Sequence, residues 1–141
     1  MKILLINLFC LVILLFSCGS SEVPSMKLNV DQCEYCRMKI SDGRFGAALT
    51  TQKGRTYKFD DLICLLNYKN ENKNVNYLQF YISDFIQSNT MIQVDQAYFV
   101  EGSQIVGPMQ GHIAAFANRD SALIYQKKYE AKLMNWEEVS H

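Results

Sequence analysis

Apolar residues in this chain form one nearly unbroken run at the start and shorter, patterned stretches afterwards. Residues 3–16 are apolar except at Asn7 and Cys10, and this run is too short for a comfortable membrane span. Beyond residue 44 the apolar stretches are brief and are separated by turns that contain Gly, Asn or Asp. The pattern therefore predicts an export signal followed by one domain of ordinary size.

The first half of that domain is predicted to contain two strands, a helix and a third strand. Residues 45–51 and 55–59 indicate strands, and they are joined by a Lys-Gly turn. Asp60 and Asp61 then supply carboxylates that cap a largely apolar helix. An Asn- and Lys-rich loop ends the helix, and residues 77–83, rich in aromatic and β-branched side chains, form the next strand.

The second half is predicted to repeat this order of elements. Residues 97–100 and the region near residues 113–116 indicate strands, and Asn118 is a cap for a helix over about residues 119–133. The residues that share one face of this helix are Ala122, Tyr125, Tyr129 and Leu133.

Identical residues recur at a constant offset between the two halves, which favours an internal duplication. The fold class predicted is α+β, with duplicated ββαβ units at about residues 33–84 and 95–135 that form a small pseudo-symmetric domain. The matching pairs are Gly54 and Gly111, Phe59 and Phe116, Leu66 and Leu123, and Tyr68 and Tyr125.

The start of the chain has the features of lipoprotein export. Lys2 precedes the apolar run, and residues 15–18, Leu-Phe-Ser-Cys, are similar to a bacterial lipobox. We expect residues 1–17 to be a signal peptide and residues 18–32 to be a lipidated Cys18 with a flexible tether. The alternative is a plain signal peptide cut slightly later. We expect a cell-envelope protein that faces the periplasm, held by its lipid in the inner or the outer membrane.

Charge and composition exclude several classes of function. The 14 basic and 14 acidic residues balance, and no basic run occurs, so nucleic acid is not an expected partner. No Ser/His/Asp constellation and no glycine-rich phosphate loop is found, so we do not expect an enzyme. Once Cys10 is removed and Cys18 carries lipid, three thiols remain. An odd number in an oxidising compartment suits a metal site better than a set of disulfides.

The motif richest in metal-binding side chains is C-x-x-C-x-M, formed by Cys33, Cys36 and Met38. Two thiolates and a thioether are soft ligands that select Cu(I) over harder divalent ions. The alternatives are a surface disulfide between the two cysteines and a thioredoxin-like redox pair. The redox pair would require a strand before the motif and a helix after it, whereas here the turn Asp42-Gly43 follows.

Zinc is the other candidate metal, because Cys33, Cys36, Cys64 and His112 together make a Cys₃His set. Against this, Cys64 is flanked by apolar residues in the predicted helix, a context that more often indicates a buried core thiol. The zinc interpretation also leaves Met38 without a role.

A second cluster of candidate ligands lies in residues 108–112, Pro-Met-Gln-Gly-His. Met109 offers a soft sulfur and His112 a borderline nitrogen, and the glycine permits a close backbone approach. A lone Met and a lone His are more often packing and surface residues. Pseudo-symmetry of the two halves would bring this turn near the N-terminal cysteines.

These motifs, in this order, resemble the NosL family of bacterial copper-chaperone lipoproteins. The likeness extends from about Cys33 to Leu123. The segments that carry it are residues 33–42, Phe59-Asp60-Asp61 with Cys64, residues 97–100, Pro108-Met109 and Ala115-Phe116.

The resemblance implies a two-repeat ββαβ fold that binds Cu(I) outside the cytoplasm. It implies delivery of copper to apo nitrous oxide reductase through a maturation complex with an ABC transporter. Cys33, Cys36 and Met38 would be the primary copper ligands and Met109 an accessory one. A homodimer in which two chains share one ion is an alternative arrangement.

Two positions depart from the family pattern as we expect it. Arg37 stands where a glycine is expected between the second Cys and the Met, and Gln110 separates the Pro-Met turn from Gly111. Neither departure removes a ligand.

Overall fold

The computed structural model describes residues 22–141, so the predicted signal peptide and Cys18 lie outside the described residues. The described part combines two antiparallel sheets with three α-helices. Between residues 22 and 141 no helix is both long and apolar enough to cross a membrane.

The first sheet has four strands in the order β2-β1-β3-β4. They are β1 (Ala47–Thr51), β2 (Thr56–Phe59), β3 (Tyr77–Ser83) and β4 (Met91–Gln93), and α1 (Leu62–Glu71) connects β2 to β3. Every strand pair is antiparallel.

The second sheet has three antiparallel strands in the order β6-β5-β7. They are β5 (Tyr98–Glu101), β6 (Ile113–Phe116) and β7 (Lys132–Met134), with α2 (Arg119–Lys128) between β6 and β7 and α3 (Trp136–Ser140) at the C-terminus. A short 3₁₀ turn follows β4 and leads into β5.

The two sheets share one connectivity, in which the first strand lies between the second and the third. The sheets also meet directly, because Asp84 and Ala115 form a parallel bridge and the Phe85 amide donates to the Ala115 carbonyl at 2.8 Å. The prediction of a mixed helix-and-sheet fold is thus confirmed. That the halves arose by duplication stays a prediction.

The core explains why the candidate ligands are held in place. Phe59 and Leu65 are fully buried beside Cys33 and Cys64 in the larger of two hydrophobic clusters, and Phe116 belongs to the smaller one. Buried aromatic and aliphatic side chains are the main source of stability in a domain of this size. The two cysteines are therefore part of the structural core and are not loosely held at the surface.

The second helix is shorter than predicted. It ends at Lys128, and its C-terminal turn is a Schellman motif: Glu130 has a left-handed φ of 48°, and the Ala131 amide donates to the Gln126 carbonyl at 2.9 Å. Leu133, predicted to lie in the helix, instead lies in β7, where it pairs with Val100 of β5. The helical spacing of apolar residues continues beyond Lys128, but the hydrogen-bonded turn ends the helix there.

Candidate metal centre

Four side chains converge at one end of α1. Cys33, Cys36, Asp60 and Cys64 each offer a ligand atom, and these atoms all lie within 4.8 Å of one another. We call this group the thiol cluster. Three sulfurs and one carboxylate make a set that can hold a single metal ion.

A tight loop presents the first two cysteines. The Cys33 amide donates to the Met38 carbonyl at 2.8 Å, and the Arg37 amide donates to the Cys33 carbonyl at 3.1 Å. Arg37 closes the loop with a φ of 66°, in the left-handed region that favours glycine. These hydrogen bonds hold the loop in a turn that places Cys36 and the backbone of Met38 close to Cys33.

The other two ligands come from the junction between β2 and α1. Asp60 follows the last residue of β2, and Asp61 caps the helix by accepting a hydrogen bond from the Ile63 amide at 3.1 Å. Cys64 lies in the first turn of α1, which points its thiol back toward the end of the strand. The Glu34 amide donates to the Lys58 carbonyl at 2.8 Å, which docks the cysteine loop against β2.

The three thiols do not ionise alike. A hydrogen bond from Cys64, helped by the amides of Cys36 and Asp60, lowers the pKa of Cys33 to about 6. Burial raises the pKa of Cys36 to about 11, and its interaction with Cys33 adds to the rise. The same bond to Cys33 raises the pKa of Cys64. Cys33 is therefore the thiol that ionises most readily, and Cys36 and Cys64 hold their protons more tightly.

The cysteines at residues 33, 36 and 64 are all free thiols in the structure. The Cys36 thiol donates to Asp60, with its sulfur 3.4 Å from Oδ1 and 3.5 Å from Oδ2. The C-x-x-C motif lies in a turn and not at the start of a helix. This geometry is that of a reduced metal-binding set and lacks the helix N-terminus that a thioredoxin-like pair uses.

The cluster is buried on one side and open on the other. Cys33 and Cys64 are fully buried and Asp60 is 1 % exposed, whereas Cys36 is half-buried and Met38 is 46 % exposed. Met38 follows Cys36 by two residues in the same loop, which keeps its side chain beside the open side. An ion held here would be reached through Cys36 and Met38.

The second predicted cluster divides between two positions. Met109 is partly buried against the core, and its amide donates to Asp61 Oδ2 at 3.1 Å, next to the thiol cluster. His112 is exposed, and its Nδ1 lies 2.8 Å from the Ile105 carbonyl oxygen. It does not belong to the group that converges on α1, where Asp60 supplies the fourth ligand atom. Its role as a ligand stays a prediction.

Comparison with known proteins decides the family. The NosL family model matches residues 25–141. The chain belongs to the NosL family. A crystal structure of the copper chaperone NosL from Shewanella denitrificans superposes with a TM-score of 0.66 at 21 % identity, covering 82 % of this chain and 96 % of that chain. The two proteins therefore share a fold. No curated protein sequence matches this chain.

One residue of this site, Asp60, is not among the ligands predicted from sequence: it is predicted only to cap the helix, a role that belongs to Asp61. Cys64 is a predicted ligand only in the zinc alternative and is otherwise predicted to be a buried core thiol. Cys64 is in fact both buried and part of the cluster. The available signal was the spacing: a carboxylate at the end of a strand and a thiol in the first helical turn after it face the same point.

Proposed function

We propose that this protein is a lipid-anchored, extracytoplasmic Cu(I) chaperone and not an enzyme. The observation that carries the proposal is the convergence of three free thiols at one point, with an exposed methionine beside the one thiol that faces outward. Thiolate and thioether sulfur are the ligands that Cu(I) prefers. The copper chaperone from Shewanella denitrificans has the same fold, which agrees with this proposal.

The uneven burial of the cluster fits the work of a carrier. Buried Cys33 and Cys64 would retain the ion, and Cys36 with Met38 would form the side through which it enters and leaves. Cu(I) accepts two or three sulfur ligands, so an incoming ligand from a partner can bind before Met38 departs. Copper would pass by ligand exchange, without a change in oxidation state.

The client and the location rest on the sequence and on family membership. The lipobox-like residues 15–18 support an anchor through Cys18, with the domain in the periplasm. Membership in the NosL family supports apo nitrous oxide reductase, reached through an ABC-transporter-type maturation complex, as the recipient. A homodimer in which two open sides meet around one ion is a further arrangement that the proposal includes.

One observation favours a second candidate function, a zinc-stabilised envelope module. Cys33, Cys36, Cys64 and Asp60 make four ligand atoms, three of them on buried residues, and structural zinc sites are closed and four-coordinate. The exposed Met38 has no role in that candidate. Cu(I) transport uses every soft side chain of the site and is the function we favour.

Anaerobic titration of the reduced protein with Cu(I), competed against a chelator, tests the proposal when Zn(II) is run in parallel. We expect tight Cu(I) binding near one ion per chain or per dimer, and much weaker Zn(II) binding. A large rise in thermal stability with Zn(II), together with weak Cu(I) binding, would support the structural zinc module instead.

A further inference from the structure

The carboxylate of Asp61 joins the two halves of the molecule. It is 2 % exposed, and its Oδ1 accepts a hydrogen bond from the Ile63 amide at 3.1 Å, which begins α1. Its Oδ2 accepts from the Met109 amide at 3.1 Å, and Gly111 lies directly against the same carboxylate. One buried side chain therefore satisfies amide groups from two segments that are far apart in sequence.

The segment of residues 107–111, here named the Met109 loop, is shaped to receive this carboxylate. A Cβ at Gly111 would lie 2.5 Å from Asp61 Oδ1, and a Cβ at Gly107 would come closer still to Oδ2, so only glycine fits at either place. The loop closes on itself through the Gly107 amide, which donates to the Gly111 carbonyl at 2.8 Å. Both ends of the loop therefore pack against the Asp61 carboxylate.

We propose that Asp61 is a positioning residue, whose buried carboxylate fastens the Met109 loop to the start of α1 and so holds the Met109 thioether over the thiol cluster as an accessory ligand. Asp61 is adjacent to Asp60 in sequence, and Met109 is partly buried against the hydrophobic cluster that contains Cys33 and Cys64. The inference rests on the proposed Cu(I) function. Asp61 does not touch the metal; it acts through Met109.

Asp61→Asn is the sharpest variant, because asparagine is as good a helix cap as aspartate but has a single acceptor oxygen where the carboxylate has two. In the full chain, solubilised in detergent and loaded anaerobically with Cu(I), we expect an affinity about tenfold weaker than that of the unaltered protein. In the metal-free protein we expect faster hydrogen exchange at the Met109 amide, which loses its acceptor.

A double-mutant cycle with Met109→Leu distinguishes positioning from a general structural effect. If Asp61 acts through Met109, the double variant binds Cu(I) no more weakly than Met109→Leu alone. If the two losses multiply, or if Asp61→Asn leaves the Cu(I) affinity unchanged, the proposal is overturned.

Two further variants keep the test decisive should Asp61→Asn fold poorly. Gly111→Ala places a Cβ against the Asp61 carboxylate and so displaces the loop from it. This variant should reproduce both the weaker Cu(I) binding and the faster exchange. Asn118→Asp makes the reverse amide-to-acid change at the cap of α2, where the side chain accepts from the Asp120 and Ser121 amides, and should leave Cu(I) affinity unchanged.

Failure of the proposed function gives a different result. If the unaltered protein binds no Cu(I) tightly, the role of Asp61 toward the metal fails with it. Amide exchange would still report on the loop: faster exchange at Met109 in Asp61→Asn would show that the clasp exists as a structural feature. Unchanged exchange would show that the carboxylate does not hold the loop at all.

Discussion

The Cys36 thiol donates a hydrogen bond to the Asp60 carboxylate, with the sulfur 3.4 Å from Oδ1. Two ligands of different hardness thus share one proton at the open side of the cluster. A metal ion that binds here must replace that proton, and it will then be held by the sulfur, by the oxygen or by both. Because Cu(I) prefers the sulfur and Zn(II) accepts either atom, we expect this pair to affect the two metals differently.

Asp60→Asn should therefore separate the two metals. We expect a loss of roughly 100-fold in Zn(II) affinity, because one of four ligands loses its charge, and a loss of about tenfold or less for Cu(I). Parallel chelator competitions with both ions measure this. Asp84→Asn, a change at another buried aspartate, serves as the control. Greater damage to Cu(I) than to Zn(II) binding would rule out a sulfur-dominated copper site.

Met38→Leu should have the opposite selectivity. The substitution keeps the size and the exposure of the side chain but removes the thioether, so we expect Cu(I) binding to weaken by about tenfold, or about 1.4 kcal/mol. Zn(II) binding should hardly change. The same pair of competition titrations gives the answer, and equal losses for both ions would indicate that Met38 has a structural role.

Arg37→Gly should stabilise the fold. Arg37 has a φ of 66°, a conformation that costs an L-residue about 1–2 kcal/mol. Glycine removes this cost, but part of the gain is lost because glycine gives the unfolded chain more conformational freedom. The ion pair with Glu34 at 3.2 Å is exposed and contributes little. We expect a net gain of about 0.5–1 kcal/mol in the free energy of unfolding, measured with urea.

Arg55→Gly is the matched control for that experiment, because Arg55 is exposed and has no left-handed φ. It should be neutral or destabilising. If both glycine variants lose stability alike, the left-handed backbone at Arg37 does not limit the stability of the fold. Gln110, the second departure, has a φ of 61° and should respond to glycine as Arg37 does.

The ion pair between Asp42 and Arg44 should make a small contribution that depends on pH. Arg44 Nη2 lies 2.7 Å from Asp42 Oδ2, and the bond lowers the pKa of Asp42. Since the folded-state pKa is below the unfolded one, the contribution is complete above about pH 4 and is lost as the pH falls through the folded value.

Asp42→Asn tests this contribution. Both side chains are partly exposed, so the substitution should cost less than about 1 kcal/mol at pH 7. Urea unfolding of both proteins at a series of pH values should show the difference shrinking below about pH 4. A difference that grows in acid would mean that Asp42 does not act as a charged partner of Arg44.

Local signals in the sequence were sufficient for much of the fold. The strand predicted at residues 77–83 matches β3, and Asn118 caps α2 by accepting the Asp120 and Ser121 amides. Alternating side chains and capping residues act over a few positions, so a single sequence reveals them. The turn at Glu130 could not be predicted from local signals. A Schellman motif is usually recognised by a glycine at the left-handed position, and here that position is Glu130.

The metal centre could be predicted only in part. The C-x-x-C-x-M motif is local and was evident, but Asp60 and Cys64 reach it through the docking of the cysteine loop on β2, a tertiary contact. Short strands such as β4 are likewise defined by their partner: Met91 pairs with Ser83, and nothing in its own segment specifies a strand.

Anaerobic Cu(I) competition on Cys36→Ser, run beside the unaltered protein, tests whether the thiols of the cluster bind Cu(I). Cys36 is half-buried, so serine should preserve the fold, which circular dichroism will verify. We expect tight Cu(I) binding in the unaltered protein and none in Cys36→Ser, and Cys33→Ser should behave in the same way. Unchanged Cu(I) affinity in both folded variants would contradict this expectation.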